Sequence, residues 1–462
     1  MAPIKNEPVQ KVPRRILGTL LSSLSGGVVP RVGAPYIAIG RTEEIDALAS
    51  SLDRVADGEG ATKFIIGRYG SGKSFLIQLS RGYALDRGFV TADADLSPER
   101  KLSGSGGSGL ATYRELMKNI ASKSSPDGGA LPVILGKWFT KIGADLVAEG
   151  YDQAGAEYGL EFSRRIMKNL RELEADVGGF DFASVLRTYY EAWRDDDDLK
   201  QSACLKWLRG EFGTRTEARQ ATGIRSLTII GDDNWYDYLK LFTAFVRLAG
   251  YSGLCLYIDE CVNLYKIPNR ISRENNYEKI LAMFNDTMQG RAPGMMIVFG
   301  GTPQFLEDSR RGLYSYEALR SRLADGRFGG ELRSLMQPVI RLRRLSDSEL
   351  YALVIRLTSL HGEYHKWEPR ATEADMRDFL TQSMTREGAD SMITPREIIR
   401  DYVTLLDLLY TNPDRSFADI LGHVQRTTVS SKIDDADDEE GGAGGIPAVP
   451  PKPAVTLDDI EF

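Results

Sequence analysis

Short apolar runs alternate along the chain with longer stretches in which apolar residues recur every three or four positions. The runs have the length of buried strands, and they lead into glycine, acidic or small polar residues. They predict core strands at residues 63–66, 89–96, 254–260 and 295–301, with a further strand-like run at 35–40. Strands that alternate with helices are typical of an α/β fold with a parallel sheet.

Helical periodicity fills most of the remaining chain. It predicts an N-terminal helix near residues 14–25 and further helices at 42–52, 74–87, 235–249 and 275–289. Thr42 is expected to be the N-cap of the helix at 42–52, because a hydroxyl can accept a bond from the first free N–H groups.

Two larger helical segments stand apart from the strand and helix alternation. Residues 111–230 form a large helical insertion after the second predicted strand, and residues 346–412 form amphipathic helices after the last one. In the second segment, Thr394 and Pro395 are expected at the N-cap and the first position of a helix.

The first core strand runs directly into a GxxxxGKS sequence at residues 67–74. Glycine at 67, 70 and 72 lets successive backbone N–H groups wrap around a polyphosphate at a helix N-terminus. Lys73 is expected to reach the β- and γ-phosphates, and Ser74 is expected to bind Mg²⁺. The sequence therefore predicts ATP and Mg²⁺ as ligands. The residues predicted to surround the phosphates are Gly67, Arg68, Tyr69, Gly70, Ser71, Gly72, Lys73, Ser74 and Phe75.

A buried strand at 254–260 ends in the acidic pair Asp259 and Glu260. Asp259 is expected to hold Mg²⁺ through water, and Glu260 is expected to polarise the attacking water. An acidic strand end is weak evidence alone, but its position after a complete phosphate-binding loop predicts hydrolysis of the nucleotide. Lys73 and Glu260 are therefore the predicted catalytic pair.

Further contacts to the nucleotide are predicted farther along the chain. Thr302 follows the strand at 295–301, where a polar side chain can lie beside the γ-phosphate, although a plain core strand and turn explains the same pattern. Arg396 starts the helix after Thr394 and could fold back onto the nucleotide from a small lid.

Residues 307–344 carry nine arginines against five acidic residues. One interpretation is an arginine finger donated to a neighbouring subunit by Arg320 or Arg322, which would require a homo-oligomer. A second is a nucleic-acid surface, and a third is a solvated face with ordinary ion pairs. The nine arginines are Arg310, Arg311, Arg320, Arg322, Arg327, Arg333, Arg341, Arg343 and Arg344.

Composition narrows the protein class without naming a function. The 462 residues are 42% hydrophobic and 27% charged, and the net charge is −7. Residues 432–462 contain two lysines and nine acidic residues, so this tail carries the whole excess. Three cysteines without CxxC spacing fit a reducing cytoplasm, and no apolar run is long enough to cross a bilayer, so we expect a cytoplasmic protein without membrane attachment.

Other motifs are less informative. His361 and His365 are spaced for one helix face, but no third metal ligand is evident, and His423 is remote in sequence. Residues 103–109 (SGSGGSG) indicate a flexible linker, with a mobile lid as the alternative. The chain ends in Leu-Asp-Asp-Ile-Glu-Phe, which resembles the docking tip of bacterial single-stranded DNA-binding proteins and is equally explained as a solubilising tail.

The order of these motifs resembles the origin-recognition and STAND branches of the AAA+ class. Gly40 and Arg41 match a Gly-Arg-x-x-Glu box that lies near the adenine in those proteins. The segments at 65–74, 93–100, 109–116 and 394–400 resemble the BrxD family, which consists of ATP-binding proteins of bacteriophage-exclusion (BREX) defence islands. The resemblance implies a bacterial defence ATPase that works beside a large helicase-like partner, with DNA bound directly or through that partner.

Together these patterns predict an α/β fold: a three-layer P-loop sheet of the AAA+ type with a helical insertion and a C-terminal helical lid. The predicted divisions are a disordered arm at 1–14, an ATPase core at 15–344, a helical lid at 345–430 and a disordered acidic tail at 431–462. The expected function is Mg²⁺-dependent ATP hydrolysis that switches or assembles a defence complex. A non-hydrolysing scaffold that recruits partners through the tail and a small-molecule kinase are the alternatives.

Overall fold

The computed structural model describes residues 12–104, 106–324, 335–385 and 394–422. Its centre is a sheet of five parallel strands in the order β2-β3-β4-β1-β5, which confirms the predicted α/β class and is an AAA+-like order. The strands are β1 Ala61–Ile66, β2 Val90–Asp95, β3 Leu254–Asp259, β4 Met295–Gly301 and β5 Val339–Arg341.

Helices occupy most of the rest of the described chain. The helices around the first two strands are α1 Arg14–Ser25, α2 Thr42–Ala56 and α3 Lys73–Asp86. Between β2 and β3 lie α4 Ser108–Lys118, α5 Leu131–Ala148, α6 Ala156–Glu174, α7 Gly179–Arg194, α8 Asp198–Leu208, α9 Arg215–Thr222 and α10 Trp235–Leu248. The remainder are α11 Val262–Tyr265, α12 Arg270–Met288, α13 Pro303–Glu307, α14 Glu317–Leu323, α15 Asp347–His365, α16 Glu373–Thr385 and α17 Pro395–Thr411.

The sheet is covered on both faces, which explains why β3 and β4 are apolar along nearly their whole length. Successive residues of a strand point to opposite faces. Phe64 of β1 accordingly lies in the core cluster that contains the insertion helices and α12, whereas its neighbour Ile65 lies in the cluster that contains Leu48 of α2 and Leu76 of α3. The layers are therefore helix, sheet and helix.

The segment between β2 and β3 shares the larger core of the molecule. Trp138 of α5 is fully buried and meets Phe245 of α10 edge-on, with ring centroids 5.2 Å apart. The same continuous cluster includes strand residues of the sheet, so the insertion stiffens one face of the sheet.

The C-terminal helices form a second core. Leu353 and Leu357 of α15 pack with Tyr402 and Leu406 of α17. Helix α1 belongs to this cluster through Leu20 and its neighbours, although α1 lies far from these helices in sequence. The N-terminal helix therefore packs on these C-terminal helices, α15 to α17, which are called the lid helices below. The predicted domain boundaries stay a prediction.

Several local predictions were wrong. Residues 34–37 form a 3₁₀ turn rather than a strand, because Gly33 takes a left-handed φ of 83° and Pro35 fixes the next φ at the start of the turn. Thr42 is the first residue of α2 rather than its cap, and the helix runs on to Ala56. Helix α12 begins at Arg270, earlier than expected.

The short strand β5 was missed because Val339, Ile340 and Arg341 stand in a charged segment without a long apolar run. The serine and glycine loop after β2 is held at both ends rather than free. Asn276 Oδ1 accepts from the amides of residues 102 and 103, and Asp232 accepts from those of residues 107 and 110. Arg327, Arg333, His423, the N-terminal arm up to residue 11 and the acidic tail lie outside the described residues.

Candidate nucleotide-binding site

The phosphate-binding loop joins the end of β1 to the start of α3. Gly70 and Gly72 have φ values of 71° and 94°, which side chains other than glycine rarely adopt, and Gly72 is the N-cap of α3. A Cβ on Gly67 would collide with the Ser71 hydroxyl. The N–H of Gly67 donates to the carbonyl of Gly301 at 3.1 Å, so the start of the loop is hydrogen-bonded to the end of β4.

Lys73 is nearly buried at the first turn of α3. Its Nζ donates to the carbonyl of Arg68 at 3.0 Å and lies 5.3 Å from the ring centroid of Tyr69. Burial lowers the pKa of Lys73, whereas the nearby Asp259 and Glu260 act in the opposite direction. The ammonium group therefore lies between the loop and the acidic strand end, and its predicted contact with the phosphates stays a prediction.

The acidic pair lies beside the loop because β3 and β1 are both neighbours of β4. The Ser74 hydroxyl donates to Asp259 Oδ2 at 2.6 Å. Glu260 follows with a left-handed φ of 56°, and its own N–H donates to Asp259 Oδ1 at 2.8 Å. This backbone conformation costs a residue with a side chain about 1–2 kcal/mol. Such strain is concentrated at functional sites, where it sets the direction of a side chain.

Two further features of this edge were not predicted. A Cβ on Gly300 of β4 would overlap the Asp259 carboxylate, so only glycine leaves room for that side chain. Asp95 of β2 is in register with Asp259, and its pKa is raised first by burial and then by the charges of Asp259, Asp93 and Glu260. Alternation of acidic residues along β2 was the available signal for Asp95, whereas Gly300 has no signature outside the folded structure.

The residues present fit a nucleotide polyphosphate and a magnesium ion. The buried Ser71 hydroxyl has no hydrogen-bond partner among the described residues, and glycine leaves the inner wall of the loop open. Ser74 and Asp259 offer hard oxygen atoms at hydrogen-bond distance from one another, which is the ligand type that Mg²⁺ prefers.

A half-open cleft continues from the loop toward the lid. Apolar side chains line most of it, among them Val28, Ile37, Phe75 and Leu353. A cleft with this apolar lining suits a flat base at the end of a phosphate chain. The 3₁₀ turn that replaces the expected strand supplies one wall of it.

Arg41 connects the loop to the segment that leads into the lid. It is 4% exposed, and its two terminal nitrogens donate to the carbonyls of Ser71 and Arg343, each at 2.9 Å. Arg343 forms a two-bond ion pair with Glu349, which holds the pKa of that carboxyl at about 2. Glu349 also closes the capping box at the start of α15.

The lid helices also make direct contact with the phosphate-binding loop and with the segment before α2. Gly70 lies so close to Thr394 that a Cβ there would overlap the threonine side chain. Gly40, with φ of 73°, packs against Glu349, whose Cδ would be 2.7 Å from an added Cβ. Thr394 itself caps α17, with Glu397 as the reciprocal partner, as predicted. Two glycines thus permit close contact between the loop region and the lid helices.

This combination of sheet order, phosphate-binding loop and lid agrees with a family match. The family model described as BREX system ATP-binding protein BrxC/D matches residues 12–425. The chain belongs to this family. No curated protein matches the sequence. Within the described ranges of this BrxC/D family member, no helix is both long and apolar enough to cross a membrane.

Two further residues were predicted to contact the nucleotide, Thr302 and Arg396, and they lie in different environments. Thr302 is buried, and its hydroxyl accepts from the N–H of Phe305 as the cap of α13. Arg396 is exposed and lines the cleft beside Gly27. Its role and that of Thr302 stay predictions.

The predicted finger arginines lie on α14. Arg320 is 57% exposed and lies 3.9 Å from Glu317, whereas Arg322 donates to Asn285 at 3.1 Å and to the carbonyl of Ala318. Other members of the cluster have structural partners, since Arg341 pairs with Glu307 and Arg311 donates to the carbonyls of residues 265 and 267. The finger therefore stays a prediction, and ordinary ion pairing accounts for part of the cluster.

The expectation that His361 and His365 lack a third partner was wrong. Asp407 of α17 joins them, with potential ligand atoms of all three within 4.8 Å. Trp367 Nε1 can only donate, and it bonds to His361 Nδ1 at 3.0 Å. A neutral His361 then carries its proton on Nε2, which donates to Asp407 at 3.1 Å. This arrangement places a proton where a metal ion would have to bind.

Proposed function

We propose that this BrxC/D family member hydrolyses ATP with Mg²⁺ and that the bound nucleotide changes the position of its helical lid within an anti-phage defence complex. The observation that carries the proposal is the Ser74 to Asp259 hydrogen bond, with Glu260 next in the chain. It brings the loop and the acidic strand end together at the edge where the γ-phosphate would lie.

The residues have separable roles in this proposal. The loop amides and Lys73 hold the phosphates, while Ser74 and Asp259 hold Mg²⁺, which neutralises phosphate charge when bound. Glu260 accepts a proton from the attacking water, and the strained backbone at Glu260 fixes the approach of its carboxylate. Lys73 is buried enough to lose bulk hydration, so its charge acts strongly on a nearby phosphate.

In this proposal the lid helices respond to the nucleotide that is bound at the loop. Arg41 touches the loop and the segment leading to α15, and Thr394 touches Gly70. A change in the loop is therefore transmitted to two lid helices by direct contact. We extend the proposal to a homo-oligomer and to a helicase-like partner, with DNA bound directly or through that partner.

Replacement of Glu260 tests the assignment of hydrolysis. Glu260→Gln is expected to retain ATP affinity and to reduce steady-state phosphate release by about 100-fold or more, because a positioned base contributes about 10²–10⁴-fold. Lys73→Ala is the matched control, in which nucleotide binding itself is expected to be lost. Unchanged phosphate release in a Glu260→Gln variant that binds ATP would remove Glu260 from the mechanism.

A further inference from the structure

A basic groove lies at the β2 edge of the sheet, outside the nucleotide cleft. It is formed by the turn after β2, one face of α4 and the segment after α8. Its charged lining consists of Arg100, Arg114, Lys118 and Arg209 against Glu115 and Glu211. The groove is therefore positive in a chain whose net charge is −7.

These cations are only partly neutralised. Arg209 is paired with Glu211 at 2.9 Å, and Arg100 lies 3.8 Å from Glu115. Arg114 uses Nε to donate to the carbonyl of Gly210, and this contact fixes its position without cancelling its charge. Lys118, one helical turn beyond Arg114, forms no ion pair with any residue in the described ranges. The groove therefore holds two cations without an ion-pair partner among the described residues, Arg114 and Lys118, one helical turn apart. Uncompensated positive charge in a groove attracts a polyanion.

The side chains that line the groove favour one class of polyanion among acidic peptides, single strands and duplexes. Its apolar side chains include Met117 and Leu131, each only 1% exposed, so neither forms a pocket for the anchor side chain of a peptide. It contains no aromatic side chain among the described residues, although aromatic rings are what stack on the bases of single strands. Guanidinium and ammonium groups without stacking partners suit the phosphates of a duplex.

The turn that supplies Arg100 is bonded to the acidic strand end of the nucleotide site. Arg100 Nε donates to the carbonyl of Asp95 at 2.9 Å, and the N–H of Leu96 donates to the carbonyl of Asp259 at 3.0 Å. Asn263, just beyond Glu260, donates to the carbonyl of Leu96 at 2.8 Å. A displacement of this turn therefore reaches Asp259 through the Arg100 side chain on Asp95 and the backbone hydrogen bond from Leu96 to Asp259.

We propose that this groove binds the phosphate backbone of double-stranded nucleic acid, independent of sequence, and that Arg100 transmits its occupancy to the Asp259 and Glu260 edge. The binding half stands on the groove alone. The transmission half rests on the proposed ATP hydrolysis.

Charge reversal at Lys118 tests the binding half. The probe is a fluorescein-labelled duplex of 30 base pairs, as DNA and as RNA of the same sequence, followed by anisotropy in a salt series with the full chain. Lys118→Glu is expected to weaken binding at least tenfold and to reduce the salt slope by about one. Lys168→Glu, an exposed lysine in the middle of α6, is the matched control and is expected to bind as the wild type does.

Three results would overturn the binding half: no duplex binding by the wild type at low salt, equal affinity of the Lys118→Glu and Lys168→Glu proteins, or displacement of the duplex by poly-aspartate at equal charge concentration. Lys118→Gln, which removes the charge without reversing it, is expected to give an intermediate affinity. Thermal melting of each variant establishes that the comparison is between folded proteins.

Duplex-stimulated ATP turnover tests the transmission half. Arg100→Gln is expected to lose the stimulation by saturating duplex while its basal turnover stays measurable. Stimulation equal to that of the wild type would overturn the role of Arg100. If the wild type shows no turnover at all, the proposed hydrolysis fails, whereas the anisotropy comparison still decides whether the groove binds a duplex.

Discussion

Single residues at the strand ends determine how close the proposed catalytic groups can come. Gly300 is the clearest case, because the space that its missing side chain leaves is filled by the Asp259 carboxylate. Glu260 is the opposite case, since it keeps a side chain at a φ of 56° where glycine would be less strained. Gly300 lacks a side chain, which leaves room for the Asp259 carboxylate, whereas Glu260 has a strained backbone that sets the direction of its own carboxylate.

Gly300→Ala is expected to displace the Asp259 carboxylate. The added methyl group should destabilise the protein by about 1–3 kcal/mol and reduce ATP turnover at least tenfold, as measured by urea denaturation and phosphate release. Gly136→Ala is the control, because a Cβ at this helical position meets nothing within 4 Å and should stabilise by about 0.5–1 kcal/mol. Full turnover in Gly300→Ala would show that Asp259 does not need its present position.

At the level of helices and strands, the site depends on elements that are distant in sequence. Helix α2 begins beside Arg41, the loop leads into α3, and α15 begins where Arg343 and Glu349 pair. Arg41 joins these three elements through two carbonyl groups. A planar guanidinium can reach both acceptors at once, whereas a lysine ammonium on a flexible stem cannot hold the same fork.

Arg41→Lys is therefore expected to loosen the loop while keeping the charge. ATP affinity should fall about tenfold, equivalent to about 1.4 kcal/mol, in a fluorescent-nucleotide titration. Arg54→Lys, at the other end of α2 and half-exposed beside Glu59, serves as the matched control and should bind ATP normally. Equal affinities in the two variants would mean that the Arg41 contacts do not support the loop.

The sequence predicted the elements that have a local physical signature. Strands β1, β3 and β4 were found because their runs are buried on both faces, and the loop was found because its glycines have conformational and packing requirements. Strand β5 and the turn at 34–37 were missed, since three strand residues or one glycine with a proline give too little pattern. The contacts of Arg41, Gly300 and Thr394 could not be read at all, because each joins segments that only folding brings together.

Among the described residues three hydrophobic clusters make up the core, and the cluster of the lid helices lines the nucleotide cleft. The sheet and insertion share the larger core, whereas α1 packs with the lid helices. The lid core contains a polar element of its own, in which Trp367, His361 and Asp407 form a hydrogen-bonded chain. Burial lowers the pKa of His361, with His365 acting in the same direction and Asp407 opposing it.

This lowered pKa makes the lid sensitive to acid. Unfolded histidine takes up a proton near pH 6.5, whereas folded His361 takes it up only at lower pH, so the free energy of unfolding should decrease as pH falls below about 6.5. One such group contributes at most about 1.4 kcal/mol per pH unit. Urea denaturation between pH 7.5 and 5.5 should show a smaller decrease for His361→Gln than for the wild type. His365→Gln is the comparison, and identical pH profiles for the wild type and His361→Gln would contradict this reading of the lid.

The central claim is that this BrxC/D family member cleaves the ATP it binds. The most direct measurement is a single-turnover experiment with protein in excess over radiolabelled ATP and Mg²⁺, quenched at intervals, so that slow product release cannot hide cleavage. We predict that ADP forms in the wild type and that ATP persists in Glu260→Gln at equal occupancy. Persistence of intact ATP in the folded, ATP-saturated wild-type protein would contradict the account and favour a nucleotide-dependent scaffold.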